Sequence, residues 1–524
     1  MKNKLKNVAM FIILMLCAIM FVGSTYYKKE YSLQEFDQII FYMLNGAEYT
    51  SPDVINNVIK SCAIPFIIVL AILGMLAIKN TKNKINIELN IRKKKLNIQL
   101  YPIELIRKHR RIYLIIVFAI AIIYTIWAFG IHTYVINKFQ RTEIYEEYYV
   151  DGRNIEIAFP EEKRNLILIV LESMENTLFT KENGGEWEYS LIPELELIAQ
   201  ENLNFSNTEK LGGAFSTYGS SFTAGGLISC TAGIPLTTPS MNKDKNIYKG
   251  YGKYLDNAYT LGDILNENGY NLEMMMGSDG NFGGRTEYFV TNGNYKIFDV
   301  NYAIKEGYMK EEERVWWGFE DDKLFEWSKG EITNLANQKQ PFNYIMLTAD
   351  THFMDGYLGE NAEEKYSNQY ENVHAYSSKK VNEFVEWIKE QDFYENTTIV
   401  ILGDHLGMQS EFYESHMEDG YTRTIYNAII NSAIEGKNNK NREYCSLDMF
   451  PTILASIGVK IEGERLGLGT NLFSGEKTLV EEIGLFNFDS ELKKNSDFYN
   501  NILLGDDYYL IKKEEQKGSE AQNE

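Results

Sequence analysis

Three long apolar runs near the N-terminus restrict most strongly what this chain can fold into. Ala9–Val22 follows Lys2, Lys4 and Lys6, Ala63–Ile78 is a second run that Val54–Ser61 could lengthen, and Tyr113–Ile136 is the longest. Each approaches the ~20 residues a helix needs to cross a ~30 Å hydrocarbon core. The first run could serve as a cleaved signal peptide. Two further runs, and the lack of a clean Ala-x-Ala site, make a retained anchor the expectation.

The loops predict an orientation. Lys79–Arg111 holds about eleven basic residues, among them Arg92-Lys93-Lys94-Lys95 and Arg107-Lys108-His109-Arg110-Arg111, against Glu88 and Glu104. Positive loops stay in the cytoplasm, so this one should be cytoplasmic. The loop between the first two runs carries Glu30, Glu35, Asp37, Glu48 and Asp53 and should face out. Three crossings then place everything after Ile136 outside. The whole chain has a net charge of -21: the part behind Tyr113 carries roughly -30, and the basic part before it offsets the rest. So acidic a chain is ill suited to general nucleic-acid binding, which depends on neutralising phosphates. Of the 4 cysteines, Cys17 and Cys62 sit in apolar runs. At most Cys230 and Cys445 could pair, and buried free thiols are the expectation.

Beyond the third run the pattern predicts an α/β domain. Asn165–Leu171 is nearly all apolar, as in a parallel strand covered on both faces. Shorter runs recur at Leu272–Met276, Asn343–Leu347, Thr397–Leu402 and Ile425–Ile430, with amphipathic stretches between them at Pro193–Glu201, Leu261–Asn268, Ser378–Glu390 and Leu447–Ile457. Alternation of this kind implies a doubly wound, mostly parallel sheet. Such sheets bind ligands beyond the carboxyl ends of their strands. There stand Glu172, Thr351-His352 and Gly403-Asp404-His405. One carboxylate at a strand end is commonly a cap. Glu, His and Asp-His together offer oxygen and imidazole ligands suited to Mn²⁺, Zn²⁺ or Mg²⁺. The segment Phe215–Leu236 is dense in small and hydroxyl residues, and a helix-like stretch opens near Thr223. A helix start offers free N–H groups to phosphate.

Together these segments resemble the alkaline phosphatase/sulfatase superfamily, and within it the membrane-anchored phosphoglycerol transferases, which include the lipoteichoic acid synthases and the enzyme that decorates periplasmic glucans. The likeness runs from about Asn165 to Phe473 and rests on Leu171-Glu172-Ser173, Ser221-Phe-Thr-Ala-Gly-Gly226 with Ala232-Gly-Ile-Pro-Leu236, Thr348-Ala-Asp-Thr-His352 and Gly403-Asp404-His405. Trp317–Asp322 and Ser446–Thr452 resemble further family segments of architectural character, and Gly277–Arg285 lies where the family binds substrate. The resemblance implies a single cation, Mn²⁺ before Mg²⁺ or Zn²⁺, held by Glu172, Thr223, Asp404 and His405. It implies Thr223 as nucleophile, His352 as the acid and base on the substrate side, and Arg285 as the cation for the substrate. Phosphatidylglycerol would be the donor, and an extracellular glycan, teichoic acid or glycolipid the acceptor.

His416 and Arg423 are candidate substrate-side residues, Arg423 also as a carboxylate partner, whereas His374 reads as a surface residue at a polar helix start. The expected layout is a membrane domain over 1–136 with its basic loop at 79–111, a linker over 137–162, and an extracellular catalytic domain over 163–524 of a multi-pass cell-membrane protein. The other readings are an extracellular phosphodiesterase, phosphatase or sulfatase-like hydrolase, a phosphoethanolamine transferase, and a non-catalytic membrane sensor.

Overall fold

The computed structural model describes residues 2–31, 35–45, 52–78, 85–91, 94–100, 106, 108–237, 254–255 and 257–504. They form two compact units, one of residues 1–32 and 52–133, the other of 33–51 and 134–524.

The smaller unit holds helices α1 (Lys2–Glu30), α3 (Pro52–Ile78) and α4 (Arg110–Ala128). All three are long and apolar enough to cross a membrane, over Lys6–Glu30, Ile55–Met75 and Arg110–Ala128. Met10 and Leu14 of α1 pack against Leu70 and Leu73 of α3 and Tyr113 and Leu114 of α4. Ser24 Oγ donates to Thr125 Oγ1 at 3.0 Å. In apolar surroundings, side-chain packing and polar pairs of this kind, rather than burial from water, hold helices together. The third apolar run is not the single helix expected over Tyr113–Ile136. It ends at Ala128, Gly130 turns left-handed (φ 64°), and α5 (Ile131–Phe139) starts afresh. Glycine accepts that conformation without a Cβ clash. The loop expected in the cytoplasm contains an antiparallel hairpin of β1 (Ile85–Ile91) and β2 (Lys94–Leu100). Arg92, Lys93 and Arg107 lie outside the described residues.

The larger unit also includes helix α2 (Phe36–Asn45), a segment that the expected layout assigns to the membrane domain. Residues of the expected linker are packed as well, with Ile144 and Tyr145 buried and the Tyr145 ring 5.6 Å from that of Tyr499. Near the start of this unit, β3 (Ile157–Ala158) pairs with Lys460–Ile461.

The main sheet consists of β4 (Asn165–Leu171), β5 (Asn271–Met276), β6 (Lys296–Phe298), β7 (Phe342–Leu347), β8 (Thr397–Gly403) and β9 (Asn427–Ile430). Their order is β6-β5-β7-β4-β8-β9, parallel except for β9. Every residue of β4, β7 and β8 is buried, which accounts for their mainly apolar sequences. Helices cover the faces, among them Pro193–Glu201, Asp321–Asn337 and Gln369–Lys389. This is the doubly wound α/β sheet that the sequence pattern predicts. Register aligns Leu171 with Gly403 and Val170 with Leu347, so β4, β7 and β8 end side by side.

Candidate active site

The residues just beyond these three strand ends converge. Glu172, Asp404 and His405 are all buried, and each places a ligand atom within 4.8 Å of the others. His405 Nε2 lies 3.3 Å from Glu172 Oε1 and 3.3 Å from Asp404 Oδ2. His405 Nδ1 faces the Leu406 carbonyl at 2.8 Å, which can only accept, so Nδ1 carries a proton and Nε2 is the nitrogen turned to the cluster. Asp404 Oδ1 accepts from the amides of Ser173 at 2.8 Å and His405 at 2.7 Å. Its other oxygen, Oδ2, is buried with no hydrogen-bond partner. Ser173 Oγ donates to Glu172 Oε1 at 2.7 Å, and Ser173 itself is left-handed (φ 55°), turning the chain sharply after β4. Strained turns of this kind concentrate where geometry is dictated by function.

Thr223 opens the helix Thr223–Ala232 on the same spot. Its hydroxyl donates to Glu172 Oε2 at 3.1 Å and lies 3.4 Å from His405 Nε2. The N-cap is Phe222, so Thr223 does not cap this helix. Glycine lets the helix come this close. A Cβ on Gly226 would sit 2.2 Å from the Asp404 carbonyl oxygen. The first-turn N–H groups and the dipole add positive potential at Thr223.

The donor set fits a divalent cation: two carboxylates, an imidazole nitrogen and a hydroxyl, with one buried carboxylate oxygen that accepts no hydrogen bond. Its electrostatics agree. Burial works to raise Glu172, but His405, His352 and the Ser173 hydroxyl hold it well below the usual carboxylate range. Burial and the Glu172 charge push Asp404 up to about 8. Burial lowers His405, yet Asp404 and Glu172 outweigh it and raise it to about 9. Without a cation this cluster therefore retains protons that a cation would displace.

That has a consequence for stability. Asp404 and His405 are raised above their unfolded values, so the stability they contribute is present at low pH and lost as pH rises through their folded values. Glu172 is depressed, and its contribution is complete well below neutrality. In the chelator-treated protein the melting temperature should thus fall between about pH 7 and pH 9. Manganese should flatten that fall, because the bound cation favours the deprotonated groups. Parallel melting curves with and without the cation would contradict this.

His352 stands at the rim. Its Nδ1 donates to the Phe353 carbonyl at 2.6 Å, and Trp317 meets its ring edge-on at 4.7 Å. Burial lowers its pKa against the field of Glu172. The loop carrying His352 is splinted by Asp321, which accepts from the amides of Ala349 at 2.9 Å and Asp350 at 3.1 Å. This gives the Trp317–Asp322 segment the architectural part that the resemblance implies. Arg285 is buried, with Nε on the Phe282 carbonyl at 2.9 Å and Nη2 on the Asp279 carbonyl at 2.8 Å, within the field of Glu172.

Other candidates lie elsewhere. Arg423 makes a two-pronged pair with Glu175 and donates to the Gly407 carbonyl at 2.6 Å, bracing the loop after His405. His416 stacks on Trp187 at 4.2 Å and faces the Phe412 carbonyl, and no contact among the described residues joins it to Glu172, Thr223 or His405. His374 is not a surface residue. Its helix begins at Gln369, well before the expected Ser378, which puts His374 on the buried face with Tyr370 and Val381, and burial holds its imidazole neutral, down to about 3. The four cysteines are free. Two threonines of the Thr348–His352 motif, to which the resemblance gives no role, also shape the site. Thr348 Oγ1 accepts from the Glu172 amide at 2.9 Å, and Thr351 Oγ1 donates to the Glu172 carbonyl at 2.6 Å.

Comparison with known proteins matches the Sulfatase family to residues 164–459, more than half of the chain. Phosphoglycerol transferase I of Escherichia coli (strain SMS-3-5 / SECEC) is 27% identical over 358 residues, covering 64% of this chain and 44% of that protein. The chain thus spans less than half the length of such curated relatives. Among solved structures, the lipoteichoic acid synthase LtaP from Listeria monocytogenes is 18% identical with a TM-score of 0.47, covering 63% of this chain and 81% of that one. The Streptococcus pyogenes phosphoglycerol transferase GacH, in complex with sn-glycerol-1-phosphate, is 15% identical with a TM-score of 0.37, covering 60% and 77%. The match over the sheet and over all the strand ends that build the site assigns the chain to the sulfatase family.

Proposed function

We propose that the protein is a phosphoglycerol transferase that takes its phosphoglycerol group from phosphatidylglycerol and passes it to an extracellular glycan, teichoic acid or glycolipid. The observation that carries this reading is the Thr223 hydroxyl at a helix start, hydrogen-bonded into the buried Glu172–Asp404–His405 cluster. The relatives named phosphoglycerol transferase I support the choice of group. The three apolar helices suit a lipid donor.

In this reading Glu172, Thr223, Asp404 and His405 hold one divalent cation, manganese by resemblance, which supplies Lewis-acid activation of the hydroxyl and of a phosphoryl oxygen. Thr223 Oγ1, its proton released to solvent, forms a bond to the donor phosphorus as the bond to the diacylglycerol oxygen breaks, and leaves again as the alkoxide when the acceptor displaces it. His352 enters as the imidazolium, protonates that leaving oxygen and, now neutral, takes the proton of the acceptor hydroxyl, which displaces Thr223 and restores the imidazolium. Burial keeps the imidazole close to its neutral form, as the second half requires. Arg285 pairs with a nonbridging phosphate oxygen. The basic 79–111 loop faces the cytoplasm, residues 137–162 link the spans to the sheet domain, and the catalytic domain over 163–524 works outside the cell.

The test is to incubate the detergent-solubilised protein and manganese with labelled phosphatidylglycerol. Release of diacylglycerol, with the label passing to added glycan or glycolipid, is the expected result. Release with water as the sole acceptor would make the enzyme a phosphodiesterase, and no release would remove the donor assignment.

A further inference from the structure

Helix α2 follows the first membrane-length helix in sequence, yet it packs into the larger unit. Tyr218 donates its hydroxyl to Asp37, and Gln38 donates to Ser221. Lys493 bridges Glu35 at 3.0 Å and Asp489 at 2.7 Å, and Asp489 accepts the Tyr218 amide at 2.7 Å. The Phe41 ring is buried 5.5 Å from that of Phe222. Tyr42 meets Phe222 edge-on at 5.5 Å and stacks on Phe282 at 5.0 Å.

Both of these partners border the chemistry. Phe222 immediately precedes Thr223, and the Phe282 carbonyl holds Arg285 Nε. Gly283 is left-handed (φ 66°), and a Cβ there would lie 3.7 Å from the rings of Phe41 and Tyr42. One short helix thus ties the segment leading into Thr223 to the segment carrying Arg285. The phenol of Tyr42 feels the site directly: burial raises it, Arg285 opposes, and Glu172 and Asp404 raise it further. It therefore keeps its proton and can both donate and accept a hydrogen bond.

We propose that α2 forms a wall of the substrate site and that Tyr42 is its specificity-determining residue, reading the hydroxyls of a phosphorylated polyol beside Arg285. A phosphate needs cations and N–H groups, which Arg285 and the helix start at Thr223 supply. A polyol hydroxyl both donates and accepts hydrogen bonds; the Arg285 guanidinium can only donate, whereas a neutral phenol does both. A ring face also covers C–H groups of a short polyol. The polyol identity rests on the reading above, in which the group is glycerol phosphate.

The test uses full-length, manganese-loaded protein in detergent, with glycerol 1-phosphate and inorganic phosphate as separate calorimetric probes. Tyr42→Phe keeps the ring and removes the hydroxyl. It should bind glycerol phosphate about tenfold more weakly, the effect of one hydrogen bond, and inorganic phosphate as the wild type does. Met43→Ala, on the exposed side of α2, should match the wild type with both probes. Unchanged glycerol phosphate binding in Tyr42→Phe would overturn the proposal, and so would equal weakening of both probes or a wild type that does not bind glycerol phosphate. A Tyr42-dependent affinity in a protein that leaves phosphatidylglycerol intact would uphold the wall and remove only the lipid donor.

Discussion

Thr223→Ala is expected to fold, to bind its cation and to lose donor cleavage by at least ~10³-fold. The substitution removes one hydroxyl that donates to Glu172 Oε2, and no cap, because Phe222 holds the N-cap position. Stability should change by no more than about 1 kcal/mol. The other hydroxyls of the loop have different tasks: Ser220 Oγ donates to the Thr217 carbonyl at 2.7 Å, and Ser221 accepts from Gln38. Their Ala variants should retain most turnover. Diacylglycerol release by each variant, beside its melting temperature, separates the two kinds of effect. Wild-type release by Thr223→Ala would mean that another group attacks the phosphorus.

Removing a carboxylate from the cluster should be nearly as damaging, for another reason. Asp404→Ala takes away a cation ligand and also strands the buried amides of Ser173 and His405, at about 1–3 kcal/mol for each unpaired group. Asp404→Asn keeps the acceptor oxygen and removes the charge, so it isolates the ligand's part. Its affinity for manganese should fall by more than ~100-fold and turnover should collapse with it. Burial and Glu172 already favour an uncharged Asp404, so the metal-free Asn variant should melt no lower than the metal-free wild type, and higher near pH 9. Metal analysis finding full occupancy in the Asn variant would show that Asp404 is not a ligand.

The central strands and their terminal groups were legible because a buried parallel strand leaves little choice of residue. Asn165–Leu171 is a strand at its expected bounds, and Glu172, Thr223, Asp404 and His405 meet as the resemblance implies. Where the pattern was mixed, tertiary packing decided. The helix around His374 begins earlier than its apolar periodicity suggests, because Tyr370 and His374 fill the core as aromatic bodies despite their polar atoms. The break after Ala128 follows from a single left-handed glycine inside an apolar run. Helix α2 left no mark of its destination, since the partners of Asp37, Gln38 and Tyr42 lie well over a hundred residues away in sequence. Long-range pairs of that kind become visible only once the fold places them together.

The central claim, that Thr223 carries the transferred group, is tested most directly by trapping the wild-type protein with phosphatidylglycerol in the absence of acceptor and mapping the adduct by mass spectrometry. A phosphoglycerol mass increment on the peptide containing Thr223, absent from Thr223→Ala, is the expected result. An increment confined to a different residue, in protein that releases diacylglycerol, would contradict it.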